Sequence, residues 1–294
     1  MLGGGGGTAK RGLFTPGKRR RMNIVAICLN IFVPWILFIC VFATLSFDFH
    51  YKHPGWAWFL VGIAVLMVLL VGFTAIQSKR RERDPMWYTF ATVAMAVAVL
   101  IAVILGDINY RSNLAPYYDI NNLQVYEDVK PELDKGQALM DAGKVYFTAG
   151  SQIDTTRSVG FKNGDLYCVA PIIKAGAAMT TYDFWAVGKN CCADRADFRC
   201  GEYANARARN GLRLMHDEDR PFYRLAVQEA EAVYGISSPH PLFFYWMQDP
   251  LGEQKAYRDD GYKYFLLGVF SHFAFNLFCV LCATIGFSKL GRTY

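Results

Sequence analysis

The sequence predicts a membrane all-α four-helix bundle carrying one extracytoplasmic α+β domain held by disulfides. Three observations predict it. Four long apolar runs interrupt the 294 residues, basic residues crowd the segments on one side of those runs, and four cysteines gather in a long polar segment between the third run and the fourth.

The runs come first. A bilayer's hydrocarbon layer is about 30 Å thick, so a helix needs roughly 20 mainly apolar residues to cross it. Residues 23–47, 56–76 and 86–106 contain no charged side chain, and residues 264–287 offer only His272 as a titrating group. None has the polar face, recurring about every 3.6 residues, that a helix half in water would show. The first run exceeds the ~7–15 residues of a signal-peptide core and no small-x-small cleavage pattern follows it, so it is read as a retained anchor.

Charge then orients the spans. Lys and Arg resist translocation, and loops rich in them stay cytoplasmic. The tail 1–22 holds Lys10, Arg11, Lys18, Arg19, Arg20 and Arg21. The connection 77–85 holds Lys79, Arg80, Arg81 and Arg83, and the tail 288–294 adds Lys289 and Arg292. Segment 107–263 has 18 basic and 22 acidic residues. Both termini are therefore expected in the cytoplasm, and 107–263 outside, at the plasma membrane or an endomembrane. The net charge of +6 is a topology signal rather than a nucleic-acid footprint. The lipid bilayer is the first partner, and anionic lipid is a second at about 1 kcal/mol per nearby basic residue. The Gly3–Gly7 run is expected to be disordered.

Segment 107–263 is too long for a simple connector and should fold. Pro131–Ala142 and Tyr203–Leu214 have helical composition. Between them, Lys144–Ala149, Arg157–Lys162, Leu166–Ile173 and Thr181–Val187 are short runs rich in β-branched and aromatic residues. Asn163-Gly164-Asp165 between two of them is a hairpin signal. Asp219–Tyr234 reads as a helix, with Pro221 in the first turn, Gly235 as the stop, and Phe222, Leu225, Ala226, Val233 and Tyr234 on one face. The aromatic stretch Phe243, Phe244, Tyr245 and Trp246 is too short to span a bilayer. It is a candidate interaction surface, at the membrane interface or beneath the domain.

Eight cysteines form two sets. Cys28, Cys40, Cys279 and Cys282 lie within the first and fourth spans as small apolar residues. Cys168, Cys191, Cys192 and Cys200 lie in the outer segment, where an oxidising compartment would make two bridges. Joining the adjacent Cys191 and Cys192 would force a strained ring. Two connectivities remain: Cys168–Cys191 with Cys192–Cys200, or Cys168–Cys192 with Cys191–Cys200. Neither a C-x-x-C pair nor a histidine pair accompanies them, so no metal site is expected.

No phosphate loop, nucleophile elbow, zinc-protease pair or dinucleotide fingerprint is present. His216 beside Asp217, Glu218 and Asp219 has the letters of a base with its orienting acid, but also those of an ordinary helix N-terminus, where carboxylates complement the dipole. The second reading is preferred; no catalytic residue and no cofactor is expected. Inside the spans the polar residues are Asn30, His272 and Asn276. His272 and Asn276, four apart, share a helix face, and Asn30 can reach Asn276 from the first span; such contacts join helices. Pro34 is expected to kink the first helix.

In layout, in the Cys191-Cys192 pair and in the polar Asn30 of its first span, the chain resembles the tetraspanins. That resemblance implies a membrane organiser that binds partner proteins laterally and has no active site. The expectation is a non-enzymatic scaffold or recognition protein. A channel or transporter subunit using the polar bundle residues is the second reading, and a membrane-bound enzyme with an outer site is the third.

Overall fold

The computed structural model describes residues 24–81, 86–193 and 195–290, without the side chains of 287–290. The basic N-terminal tail with its glycine run, residues 82–85 of the 77–85 connection and the last four residues lie outside the described residues. The helices are α1 (Ile24–Ser46), α2 (Asp48–Lys52), α3 (Pro54–Arg80), α4 (Met86–Asn109), α5 (Ala115–Asn121), α6 (Arg220–Tyr234) and α7 (Pro250–Leu290). The strands are β1 (Gln124–Val129), β2 (Ala142–Phe147), β3 (Ser151–Ile153) and β4 (Val159–Asn163). They continue with β5 (Asp165–Lys174), β6 (Phe184–Lys189), β7 (Asn210–Arg213) and β8 (Leu242–Met247). Two compact units result: Met1–Arg111 with Gly261–Tyr294, whose described residues are largely helical, and Ser112–Asp260, which contains the whole sheet.

Four helices are long and apolar enough to cross a membrane: Ile24–Ser46, Pro54–Arg80, Met86–Asn121 and Pro250–Gly286. The last two outrun their expected limits of 106 and 264. Apolar composition marks where a helix could sit in lipid, not where its hydrogen bonding ends. The third continues through a wide turn at Tyr110–Leu114 into α5. The fourth starts earlier because Pro250 suits a first turn and the Asp249 carboxylate accepts from the Gly252 N–H at 2.9 Å.

Small residues line the interior of the helical unit. In α3 the buried positions are Ala57, Val61, Ala64, Val68 and Ala75, a stripe at spacings of three and four that lets neighbouring backbones approach. Phe38, Phe42 and Leu45 of α1 fill the space opposite. Gly106 and Gly268 are needed for that fit. A Cβ on the first would stand 2.8 Å from the Leu45 Cβ, and one on the second 2.6 Å from a Phe42 ring carbon.

The sheet has the order β1-β2-β7-β8-β6-β5, with β3 and β4 both pairing β5 along its outer edge. β1 runs parallel to β2 and β6 to β8; the other pairs are antiparallel. The expected hairpin is β4–β5, turning at Gly164 with φ +70°, a conformation glycine adopts without Cβ strain. One face of the sheet, with Val145, Phe147, Ala170, Phe184 and Phe244, is covered by Leu139, Phe198 and Ala208 from the loops. The other face, with Val169, Trp185, Val187 and Phe243, is covered by α6.

α6 and its stop are where the sequence placed them, Gly235 having φ +64°. Its buried face is rotated, however. Tyr223, Ala226, Val227 and Ala230 are inside, whereas Leu225 is 42% and Val233 37% exposed. The observed set keeps the spacing i, i+3, i+4, i+7 that an apolar stripe requires.

Two expected helices are absent. Over Pro131–Ala142 the chain makes turns and one short 3₁₀ segment, Gly136–Leu139. Gly136 is pinned there: its N–H donates to the Asp183 carboxylate at 2.9 Å, and a Cβ would lie 2.2 Å from the His240 carbonyl oxygen. Over Tyr203–Leu214 turns lead into β7. The alternation Ala204-Asn205-Ala206-Arg207-Ala208-Arg209 has the period of extended chain, with no apolar stripe for a helix to bury.

Candidate functional site

The four outer cysteines form two disulfides, Cys168–Cys192 and Cys191–Cys200. The sheet prepares their place. Cys168 of β5 is in register with Gly160 of β4 on one side and Gly188 of β6 on the other. A Cβ at Gly188 would lie 2.6 Å from the Cys191 sulfur, and one at Gly160 2.9 Å from that of Cys192. A row of glycine, cysteine and glycine thus clears a shelf on which both bridges rest. The sulfurs of Cys168, Cys191 and Cys200 lie within 4.8 Å of one another. All are oxidised to disulfides, so none is the thiolate that a metal would take.

Asn276 and Asn30 do meet, though not side chain to side chain. The Asn276 amide donates to the backbone carbonyls of Asn30 (3.1 Å) and Ile31 (2.8 Å). Pro34 explains this. A helix would satisfy the Asn30 carbonyl with the N–H of residue 34, and proline has none. The Asn30 amide turns back to the Ala26 carbonyl, and the Trp35 indole crosses to the Val269 carbonyl at 3.1 Å. His272 stacks on Phe38 with ring centroids 4.1 Å apart.

The aromatic candidates are corrected outright. Phe243, Phe244, Tyr245 and Trp246 form β8, a strand with neighbours on both sides, and Phe243, Phe244 and Trp246 are at most 4% exposed. They are core, not a surface. A central strand is apolar on both faces, which makes its sequence as greasy as an interface.

Two acids of the cluster after His216 are taken up in ion pairs. Asp219 precedes α6 but spends its carboxylate on Lys189, 2.8 Å away, and Asp217 pairs with Arg220 at 2.8 Å. The Asp219 hydrogen bond raises the Lys189 pKa above its ordinary value of 10.5.

What the sequence did not single out is a cleft of about 990 Å³ in the sheet unit, between the β3 edge and the segment 203–210. Its lining includes Ser151, Gln152, Tyr203, Arg207, Arg209 and Gln248, and no acidic residue. The 203–210 wall is fastened to the end of β8. Glu202 N–H donates to the Trp246 carbonyl at 3.1 Å, and the Asn210 amide to the Gln248 carbonyl at 2.6 Å. The Asn205 amide donates to the Gln248 side chain (3.1 Å), while its oxygen accepts the Arg207 N–H at 3.0 Å. Gly201, with φ +57°, passes so close that a Cβ would sit 2.6 Å from the Trp246 carbonyl oxygen.

The wall is therefore held by backbone and asparagine contacts while Arg207 and Arg209 project as exposed side chains. Neither guanidinium has an ion-pair or hydrogen-bond partner among the described residues. Ser151 in the opposite wall is 7% exposed, and its hydroxyl has no partner. The arrangement can take hydrogen-bond acceptors and negative charge; it holds no nucleophile–base pair. Period-two alternation over 204–209 was the signal that could have revealed it. No protein-family model, curated protein or solved structure matches the chain, so the likeness to the tetraspanins rests on layout, the double cysteine and Asn30 alone.

Proposed function

We propose that this chain is a multi-pass membrane protein whose sheet unit stands outside the cytoplasm and acts by recognising a partner, without catalysis. The four apolar helices support the membrane part, together with the way α3 and α7 present large apolar side chains outward: Leu69, Leu70, Phe73, Phe270 and Phe278 are 56–65% exposed. Water would penalise each by about 1.5–3 kcal/mol relative to burial, and lipid does not. The bundle stays together through small-residue packing and the α7-to-α1 hydrogen bonds. The basic segments argue for cytoplasmic termini and so place the disulfides outside.

One observation carries the recognition part: a preformed cleft with two unpartnered arginines and no acid, in a segment whose overall charge is negative. An exposed pair of guanidiniums on a fixed wall offers forked donors to a partner's acceptors.

Two measurements test the proposal. Extraction of membranes with alkaline carbonate should leave the chain in the pellet; its recovery in the supernatant would end the membrane reading. Purification from mild detergent, comparing the native chain with R207A/R209A, should show co-purifying proteins that are lost with the arginines. An identical set from both would end recognition through this cleft.

A further inference from the structure

The cleft has a second set of unused groups, in its main chain. In the β3–β5 pair, the Gly150 carbonyl accepts from the Ala175 N–H at 3.0 Å and the Asp154 N–H donates to the Pro171 carbonyl at 2.9 Å. Residues 150, 152 and 154 are therefore the ones whose backbone faces β5. Antiparallel alternation turns the main-chain groups of Ser151 and Ile153 the other way. The Ser151 N–H is taken by the Thr148 carbonyl at 3.1 Å. Among the described residues no strand pairs β3 on that side. The Ser151 carbonyl and both main-chain groups of Ile153 thus lie on an open edge, and both residues line the cleft.

We infer that the cleft binds an extended acidic peptide segment of a partner protein, laid along β3 with its carboxylates on Arg207 and Arg209. This rests on the recognition reading above and names the chemistry of what is recognised. Two features converge on it. An open strand edge offers alternating donors and acceptors, the signature of strand addition. Two free guanidiniums in an acid-free lining select carboxylates, because a charge-assisted hydrogen bond is about twice as strong as a neutral one. The two arginines, with no carboxylate in the lining to answer them, favour an acidic sequence.

The test uses the full chain in detergent micelles. Its probe is a fluorescein-labelled peptide of about eight alternating glutamate and threonine residues, read by anisotropy, since a segment of that length covers the edge strand. R207A/R209A should weaken binding roughly tenfold or more, the scale of a lost charge-assisted contact. Methylating alternate backbone nitrogens of the peptide should weaken it comparably, because strand addition needs those N–H groups. K130A/K162A, which removes two exposed lysines outside the cleft, should leave binding within about twofold, as expected for screened surface charge. Binding that ignores the arginine substitutions or the N-methyl groups overturns the inference. If a sulfated hexasaccharide binds through Arg207 and Arg209 and the peptide does not, strand addition falls while recognition by the cleft survives. Silence of both probes, with an unchanged set of co-purifying proteins in R207A/R209A, would remove both.

Discussion

In α3 the side chains turned inward are Ala57, Val61, Ala64 and Val68, while Leu66, Leu69, Leu70 and Phe73 face out. In β5 and β8 the order is reversed: Val169, Ile172, Phe244 and Trp246 are inside. The two units also treat polar groups differently. The helical unit has few, and the Asn276 amide and Trp35 indole serve backbone carbonyls of another helix. The sheet unit leaves charged side chains in its cleft without partners. A surface that faces hydrocarbon must satisfy its polar groups internally, whereas one that faces water can keep some free for a ligand. The four apolar helices have the composition the first rule demands, and the sheet unit that of the second.

The sharpest way to break this contrast is at glycine. Gly188→Val puts its β-carbon into the space of the Cys191–Cys200 bridge, and should cost more than about 4 kcal/mol, seen as loss of a folded, oxidised species on non-reducing gels. Gly62→Ala in α3 meets nothing within 4 Å. It should change the melting temperature little, or raise it through the ~1 kcal/mol helix-propensity difference. Equal damage from both would mean the helical unit is packed as tightly at Gly62 as the sheet is at Gly188.

Next in size are the disulfides. The Cys168–Cys192 bridge spans 24 residues and Cys191–Cys200 spans 9. Loop-closure entropy assigns about 3.5 kcal/mol to the longer and about 2.7 to the shorter. Paired Cys→Ser variants should therefore lose stability in that order when unfolded by denaturant; the opposite order would show that packing on the glycine shelf outweighs chain entropy.

In the helical unit, Asn276→Leu should cost about 1–2 kcal/mol by leaving the Asn30 carbonyl unpaired. Pro34→Ala, which restores the missing N–H, should reduce that cost in the double variant. A cost that is identical in both backgrounds would sever Pro34 from Asn276. The double-mutant cycle measures this coupling directly.

The smallest effect is the Lys189–Asp219 pair. A lysine pKa raised on folding contributes stability that is fully present below its ordinary value of 10.5 and fades as pH rises through the raised value. Lys189 is 38% exposed, so water weakens the pair, and Lys189→Met should cost below about 1 kcal/mol at neutral pH. A deficit that persists undiminished well above pH 10.5 would point to packing over the Tyr167 ring instead.

Much of this was legible in residue order. Charge-free runs, the Asn163-Gly164 turn and the Pro221-to-Gly235 helix each express a local rule. What escaped were features decided by tertiary context. β8 is as apolar as an interfacial segment because both its faces are covered, and no periodicity separates the two cases. Gly136–Leu139 has helical composition, but an Asp183 contact 47 positions away fixes its turn. The cysteines declared themselves; their pairing depended on which neighbour faced β5. Arg207 and Arg209 looked like helix residues until the clamp on β8 set them beside β3.

Pro34 leaves α1 one rung short, and the missing donor comes from another helix. Part of what completes the first helix is thus written 246 positions further along, in Asn276 of α7. The Asn30 carbonyl finds its partner once α7 lies beside α1, so the folding of one helix is tied to the arrival of the other.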